Sequence, residues 1–216
     1  MKKIFLNITW AAVLVLILNS SATAAGFYIG IQGGGGILPD ARATDSEGGF
    51  NISYDAGFDG SITAGYDLGN NYPDIGNGRV ELEFNTASND MDTAEFVEGN
   101  VGINGSADRN SIMFNTIGEY VTRSGMIIYA LLGLGWAEIS LDNVSIGEEP
   151  LVNDSSSQLA FQAGLGVAWR LGERVAFDLG YRYYGTTDPE FTQIDGTSLD
   201  YEYASHRLLA GVRLHF

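Results

Sequence analysis

The sequence predicts an all-β fold, an eight-stranded antiparallel up-and-down barrel that spans a membrane, and three observations predict it. Apolar residues alternate with polar or small ones in eight separate segments, as in strands with one oily and one wet face. The links between these segments include short turns and four long connections. The chain also closes on an alternating column that ends in the ring of Phe216. Where the polar positions carry too much charge for a dry core, the apolar face meets lipid and the wet face lines a lumen.

The first segment of the chain is read as an export signal. Lys2 and Lys3 precede the apolar run Ile4 to Leu18, and Ala22-Thr23-Ala24 supplies small residues before Ala25, the pattern of a cleaved secretory leader. At about 15 residues the run is shorter than the roughly 20 that cross a bilayer as a helix, and the cleavage residues Ala22, Ala24 and Ala25 disfavour a retained anchor. The expected organisation is therefore a signal over 1–24 and one barrel domain over 25–216. No later segment approaches 18 uninterrupted apolar residues, so membrane residence falls to strands.

The strands follow in order. The first sets Phe27, Ile29 and Ile31 against Tyr28, Gly30 and Gln32; the second sets Phe58, Ile62, Ala64, Tyr66 and Leu68 against Asp59, Ser61, Thr63, Gly65 and Asp67. The third opposes Val80, Leu82 and Phe84 to Arg79, Glu81, Glu83 and Asn85. The fourth opposes Ile112, Phe114 and Tyr120 to Ser111, Asn115 and Glu119, with Met113 and Ile117 breaking the pattern. In the fifth, Ile128, Ala130, Leu132, Leu134 and Trp136 face out and Tyr129, Leu131, Gly133, Gly135 and Ala137 face in; the paired glycines favour strand over buried helix. The sixth places Leu159 to Trp169 outward at alternate positions, with Gln158, Gln162, Gly164, Gly166 and Arg170 inward. The seventh places Val175, Phe177, Leu179, Tyr181 and Tyr183 outward, and Asp178, Gly180, Arg182 and Tyr184 inward. The eighth is the column Leu208, Ala210, Val212, Leu214 and Phe216.

Thr122–Gly125 and Gly172–Arg174 are short links, and Gly69–Gly78 is a longer turn region rich in Gly, Asn and Pro. The other four links, Ile37–Asp55, Ser88–Asp108, Asp142–Ser157 and Gly185–Asp200, are long. Short turns at one end and long loops at the other, with an even strand count, set both termini on the periplasmic side of an outer membrane. A soluble lipocalin-like or sandwich fold is the rival. The aromatic residues near strand ends, Tyr66, Tyr120, Trp136, Trp169, Tyr181 and Phe216, favour lipid.

Composition agrees with a small barrel. Glycine takes 29 of 216 positions, tyrosine and phenylalanine 11 each, and cysteine none, so no disulfide framework exists. Both lysines precede the cleavage site, leaving 9 arginines against 27 acids, a net charge of 9 − 27 = −18. That sign excludes nucleic acid as a partner.

The ending from Ser205-His206 through Gly211-Val212-Arg213 to Phe216, the stretch Tyr129 to Gly135, and the opening Gly26-Phe27-Tyr28-Ile29-Gly30 resemble the opacity-type and surface-antigen outer-membrane barrels of the porin family. The resemblance implies eight strands with surface-variable loops and no enzyme chemistry. It implies as partners the outer-membrane lipid, periplasmic chaperones and barrel-assembly machinery, the last reading the column Leu208, Val212, Leu214 and Phe216. The expected role is envelope integrity and surface or host contact through the loops, with an extracellular protein or host ligand as partner. A narrow channel for small solutes or ions is the alternative.

Eight strands leave a lumen wide enough only for side chains. Glu81, Glu83, Glu119, Arg170, Asp178, Arg182, Arg207 and Arg213 fall on inward positions. They are expected to pair in a network satisfying buried charge, or else to form a gated ion path. The long links gather most acids, with only Arg42 and Arg109 expected to answer them outside. This leaves three readings: a solvated repulsive cap, a divalent-cation site, or a docking surface for a basic partner. No calcium-loop motif occurs, and no metal or cofactor is expected. Catalysis is not expected either, because Ser205 and His206 are adjacent on a strand and point to opposite faces. Gly33–Gly36 lacks the following helix and lysine of a phosphate loop.

Overall fold

The computed structural model describes residues 26–44, 48–68, 77–96 and 99–216. The expected signal and its cleavage residues Ala22, Ala24 and Ala25 lie outside the described residues. The strands are β1 (Phe27–Ile37), β2 (Ala41–Thr44), β3 (Gly49–Tyr54), β4 (Gly57–Asp67), β5 (Gly78–Phe96), β6 (Gly99–Gly102), β7 (Asn104–Val121), β8 (Met126–Ile146), β9 (Glu149–Arg170), β10 (Val175–Thr186), β11 (Glu190–Thr192), β12 (Ser198–Tyr201) and β13 (Ala204–His215).

Eight of them form a closed antiparallel ring, in the order β1, β4, β5, β7, β8, β9, β10, β13 and back to β1. Stepping between paired residues leads from Phe27 through Tyr66, Val80, Thr116, Leu132, Ala163, Tyr183 and His206 to Ile37. The path returns to β1 displaced by 37 − 27 = 10 residues. A shear of that size tilts the strands by roughly 40° from the barrel axis. It also decides which inward side chains meet at one height.

The eight alternating segments read from the sequence all lie on this ring. Leu132, Leu134, Leu165 and Ile112 are exposed on its outside, while Glu83, Asn85, Asn115 and Arg207 are fully buried inside. Glycine makes room for inward rings: a Cβ at Gly180 would stand 2.5 Å from the Tyr129 hydroxyl, and one at Gly65 would collide with Tyr28. Met113 and Ile117, the two residues that break the pattern of the fourth segment, are buried inward residues. Met113 lies opposite Gly135, whose missing side chain accommodates its sulfur.

The long links differ from the expectation of irregular loops. Ser88–Asp108 and Asp142–Ser157 are mostly strand, because β5, β7, β8 and β9 run on past the apolar band. There they join four short strands in a second ring. β5 pairs β3, β3 pairs β2, β2 pairs β12 and β12 pairs β11. A bridge between Val152 and Gln193 then links β9 to β11, supported by Ile194 N–H donating to Leu151 O at 2.9 Å.

Polarity inverts where one ring gives way to the other. On β5 the outward series runs Val80, Leu82, Phe84, then Thr86, Ser88, Asp90, Asp92, while the inward series runs Glu81, Glu83, Asn85, then Ala87, Asn89, Met91. On β8 the outward side changes from Trp136 to Glu138, and inward Ala137, Ile139 and Leu141 are buried. Asn143, at φ 53°, carries a register shift that sets Val144 inward in turn. The second ring thus encloses an apolar core including Ile52, Met91, Ile139, Leu141, Phe191, Leu199, Tyr201 and Tyr203. Strand periodicity is unchanged; only the solvent outside has switched from lipid to water.

Candidate functional site

The inward positions of the first ring build three polar layers, the second and third joined through Arg207. Nearest the short turns, Arg79 Nε donates to Glu81 Oε1 at 3.0 Å and its Nη1 meets Glu119. Tyr28 OH donates to Glu81 at 2.7 Å, and Arg213 Nε to Asp178 at 2.7 Å. In the middle layer Glu83 Oε2 accepts from Arg182 at 2.6 Å, Asn115 at 2.7 Å and Gln162 at 3.1 Å. Its other oxygen lies 3.5 Å from Arg207. Gln32 caps the second amine of Arg182 at 2.6 Å.

The third layer surrounds Asp59, which accepts from Arg109 at 2.6 Å, Arg207 at 2.7 Å and Asn85 at 2.7 Å. Arg109 also donates to Asn85, Ser205 and Tyr203, and its guanidinium lies 4.0 Å from the Tyr184 ring centre. The buried layers together hold Arg79, Arg109, Arg182, Arg207 and Arg213 against Asp59, Glu81, Glu83, Glu119 and Asp178. Five of each sign make this interior neutral in a chain of formal charge −16, as burial without counter-ions requires.

Seven of the eight residues predicted for the lumen meet in these layers. Arg170 does not: its side chain is 56% exposed at the turn end, 3.8 Å from Asp67. It is the last residue of β9, where the wall no longer encloses it. Arg109 requires the opposite correction, because it is fully buried at the centre of the third layer and not outside among the acids. Asp59 and Asn85, its partners, sat on the wet faces of their segments. Only the stagger of the ring shows that they converge. Ser205 accepts from Arg109 inside while His206 is bonded to Tyr181 outside at 2.6 Å, so the two share no proton.

Residues 9–216 match the family described as the outer membrane protein beta-barrel domain. The chain belongs to that family. Neisserial surface protein A has a similar structure at 21% identity, with 89% of this chain and 98% of that one covered and a TM-score of 0.53. OprG of Pseudomonas aeruginosa is similar at 14% identity, with 89% and 97% covered and a TM-score of 0.55. No curated protein matches the chain significantly.

As an outer-membrane β-barrel protein of the bacterial envelope, the chain sits in lipid by its apolar band, with the short turns in the periplasm and the second ring outside the cell. Leu208, Val212, Leu214 and Phe216 belong to the lipid-facing column of β13 and its end. The extracellular ring and its turns carry sixteen carboxylates among the described residues, from Asp40 to Glu202, against the one exterior guanidinium of Arg42. No cluster of three or more possible metal ligands occurs among the described residues.

One of these acids, Asp142, ionises against its surroundings. Partial burial, a hydrogen bond to Asp108 and the charge of Asp108 raise the Asp142 carboxyl above its ordinary value. The folded state therefore binds this proton more tightly than the unfolded chain, so ionised Asp142 opposes folding at neutral pH. That opposition fades as pH falls through the folded-state value. Asp142→Asn is accordingly expected to stabilise the extracellular ring at neutral pH and to give no gain below the ordinary carboxylate range of about 4. Protease-protection curves at the two pH values check this.

Proposed function

We propose that this outer-membrane barrel is a closed surface protein. It anchors an ordered acidic platform outside the cell, supports envelope integrity and makes contact with basic surfaces or host molecules. The carrying observation is the apolar core of the second ring seated directly over a neutral lumen. An ion leaving the arginine and carboxylate layers would next meet the apolar side chains of Met91, Ile139 and Leu141, which do not replace its hydration. Ion pairs that only satisfy one another, under an oily lid, stabilise and do not conduct.

Refolded protein in planar bilayers is expected to give no reproducible single-channel steps. Steps of constant size, altered by Arg182→Ala or Glu83→Gln, would instead establish the narrow channel. On the present reading, chaperones and the assembly machinery engage the β13 column ending at Phe216, and the signal is removed after Ala24. No catalytic role is assigned.

A further inference from the structure

We infer that the outer edge of β6 is a strand-addition site for an extended, basic segment of a partner protein; this rests on the acidic-platform reading above. β6 continues the line of β7 beyond the second ring and, among the described residues, pairs only with β5. β8 has already turned back at Ile146 and Glu149, so it offers that edge no partner. All four residues of β6 are exposed.

The polarity of the edge can be read from the ladder. Ile103 N–H donates to Asp92 O at 3.1 Å. Antiparallel pairs alternate, so Val101 and Gly99 bond toward β5 while Asn100 and Gly102 direct their N–H and C=O groups away from it. Exposed edges are ordinarily guarded by charge, proline or a bulge. β6 has none of these; its sequence is Gly-Asn-Val-Gly, which leaves the backbone open to a neighbour.

Charge selects the occupant. Asn100, Glu95 and Asn51 are register partners across β6, β5 and β3, beside a groove that Phe50 and Phe96 line with stacked rings 4.8 Å apart. A lysine or arginine beside Asn100 on an added strand would reach toward Glu95 under the field of the acidic ring. A second copy of this chain would bring two such rings together, and repulsion disfavours it. Main-chain bonds would supply the affinity and alternate side chains the selectivity.

The test uses the full protein in nanodiscs and a short acetylated peptide of alternating arginine and threonine. The peptide is expected to bind. Asn100→Pro, which removes only an outward N–H at an edge where proline is tolerated, should weaken binding about tenfold. Backbone N-methylation of the same peptide, tested on the unaltered protein, should do likewise, so a folding defect in the variant cannot decide the matter. Equal binding of methylated and unmethylated peptides would overturn the inference in favour of charge alone. Self-association abolished by Asn100→Pro would overturn it in favour of a second copy. Absence of peptide binding by a protein that is non-conducting and protease-resistant would overturn the edge site and leave the closed acidic platform standing.

Discussion

Asp59→Ala is expected to lower the stability of the refolded barrel by about 3–5 kcal/mol, the cost of removing one partner from a buried ionic cluster. Asp59 accepts from both Arg109 and Arg207, and all three are buried. Alanine would leave two guanidiniums facing one another, with Glu83 3.5 Å from Arg207 as the nearest remaining carboxylate. Asp59→Asn keeps an acceptor and should fall between alanine and the native protein. Arg170→Ala removes a long, 3.8 Å pair whose arginine is solvent-exposed and should cost no more than about 1 kcal/mol. Denaturant midpoints in micelles, read from heat-modifiable gel migration, separate the three. Similar midpoints for Asp59→Ala and Arg170→Ala would refute the view that the lumen layers hold the barrel together.

Tyr201→Ala is expected to open the second ring while the first stays closed. Tyr201 is 1% exposed, packs against Phe191 and Tyr203 at ring distances of 6.0 and 6.4 Å, and donates to the Tyr54 hydroxyl at 2.7 Å. Truncating a buried aromatic costs about 3–5 kcal/mol. The second ring is vulnerable because β11 joins β9 through one bridge, whereas the first ring is sealed by long ladders on every side. Protease applied to intact cells should therefore spare the native protein. In the variant it should cut within 38–56 and 186–203, while heat-modifiable migration persists. Rapid cleavage of the native protein at those sites would show that the second ring does not form.

Which side of each strand meets lipid was legible from local alternation, since a strand's parity needs no knowledge of its neighbours. That is why Glu81, Glu83, Glu119, Asp178, Arg182, Arg207 and Arg213 fell on the inward side from sequence. The second ring was missed because its signal has the opposite sign. Ala137, Ile139 and Leu141 continue the inward parity of β8, but with apolar residues inside and Glu138, Ser140 and Asp142 outside. A search for one polarity reads such a stretch as the end of a strand. Arg109 was misplaced for the same reason: it keeps the parity of Ser111 and Met113, yet acids surround it in sequence.

By itself the sequence determined the eight strands of the first ring, their lipid-facing stripe and the surplus of acid left for the long links. Each of these is a property of one segment in one solvent. Only the tertiary structure decided that Asp59 meets Arg109 and Arg207, and that four long links close into an apolar-cored ring with the edge of β6 left free. Those outcomes depend on the ten-residue stagger accumulated around the closed sheet. No strand encodes that stagger alone, because it is the sum of eight pairings.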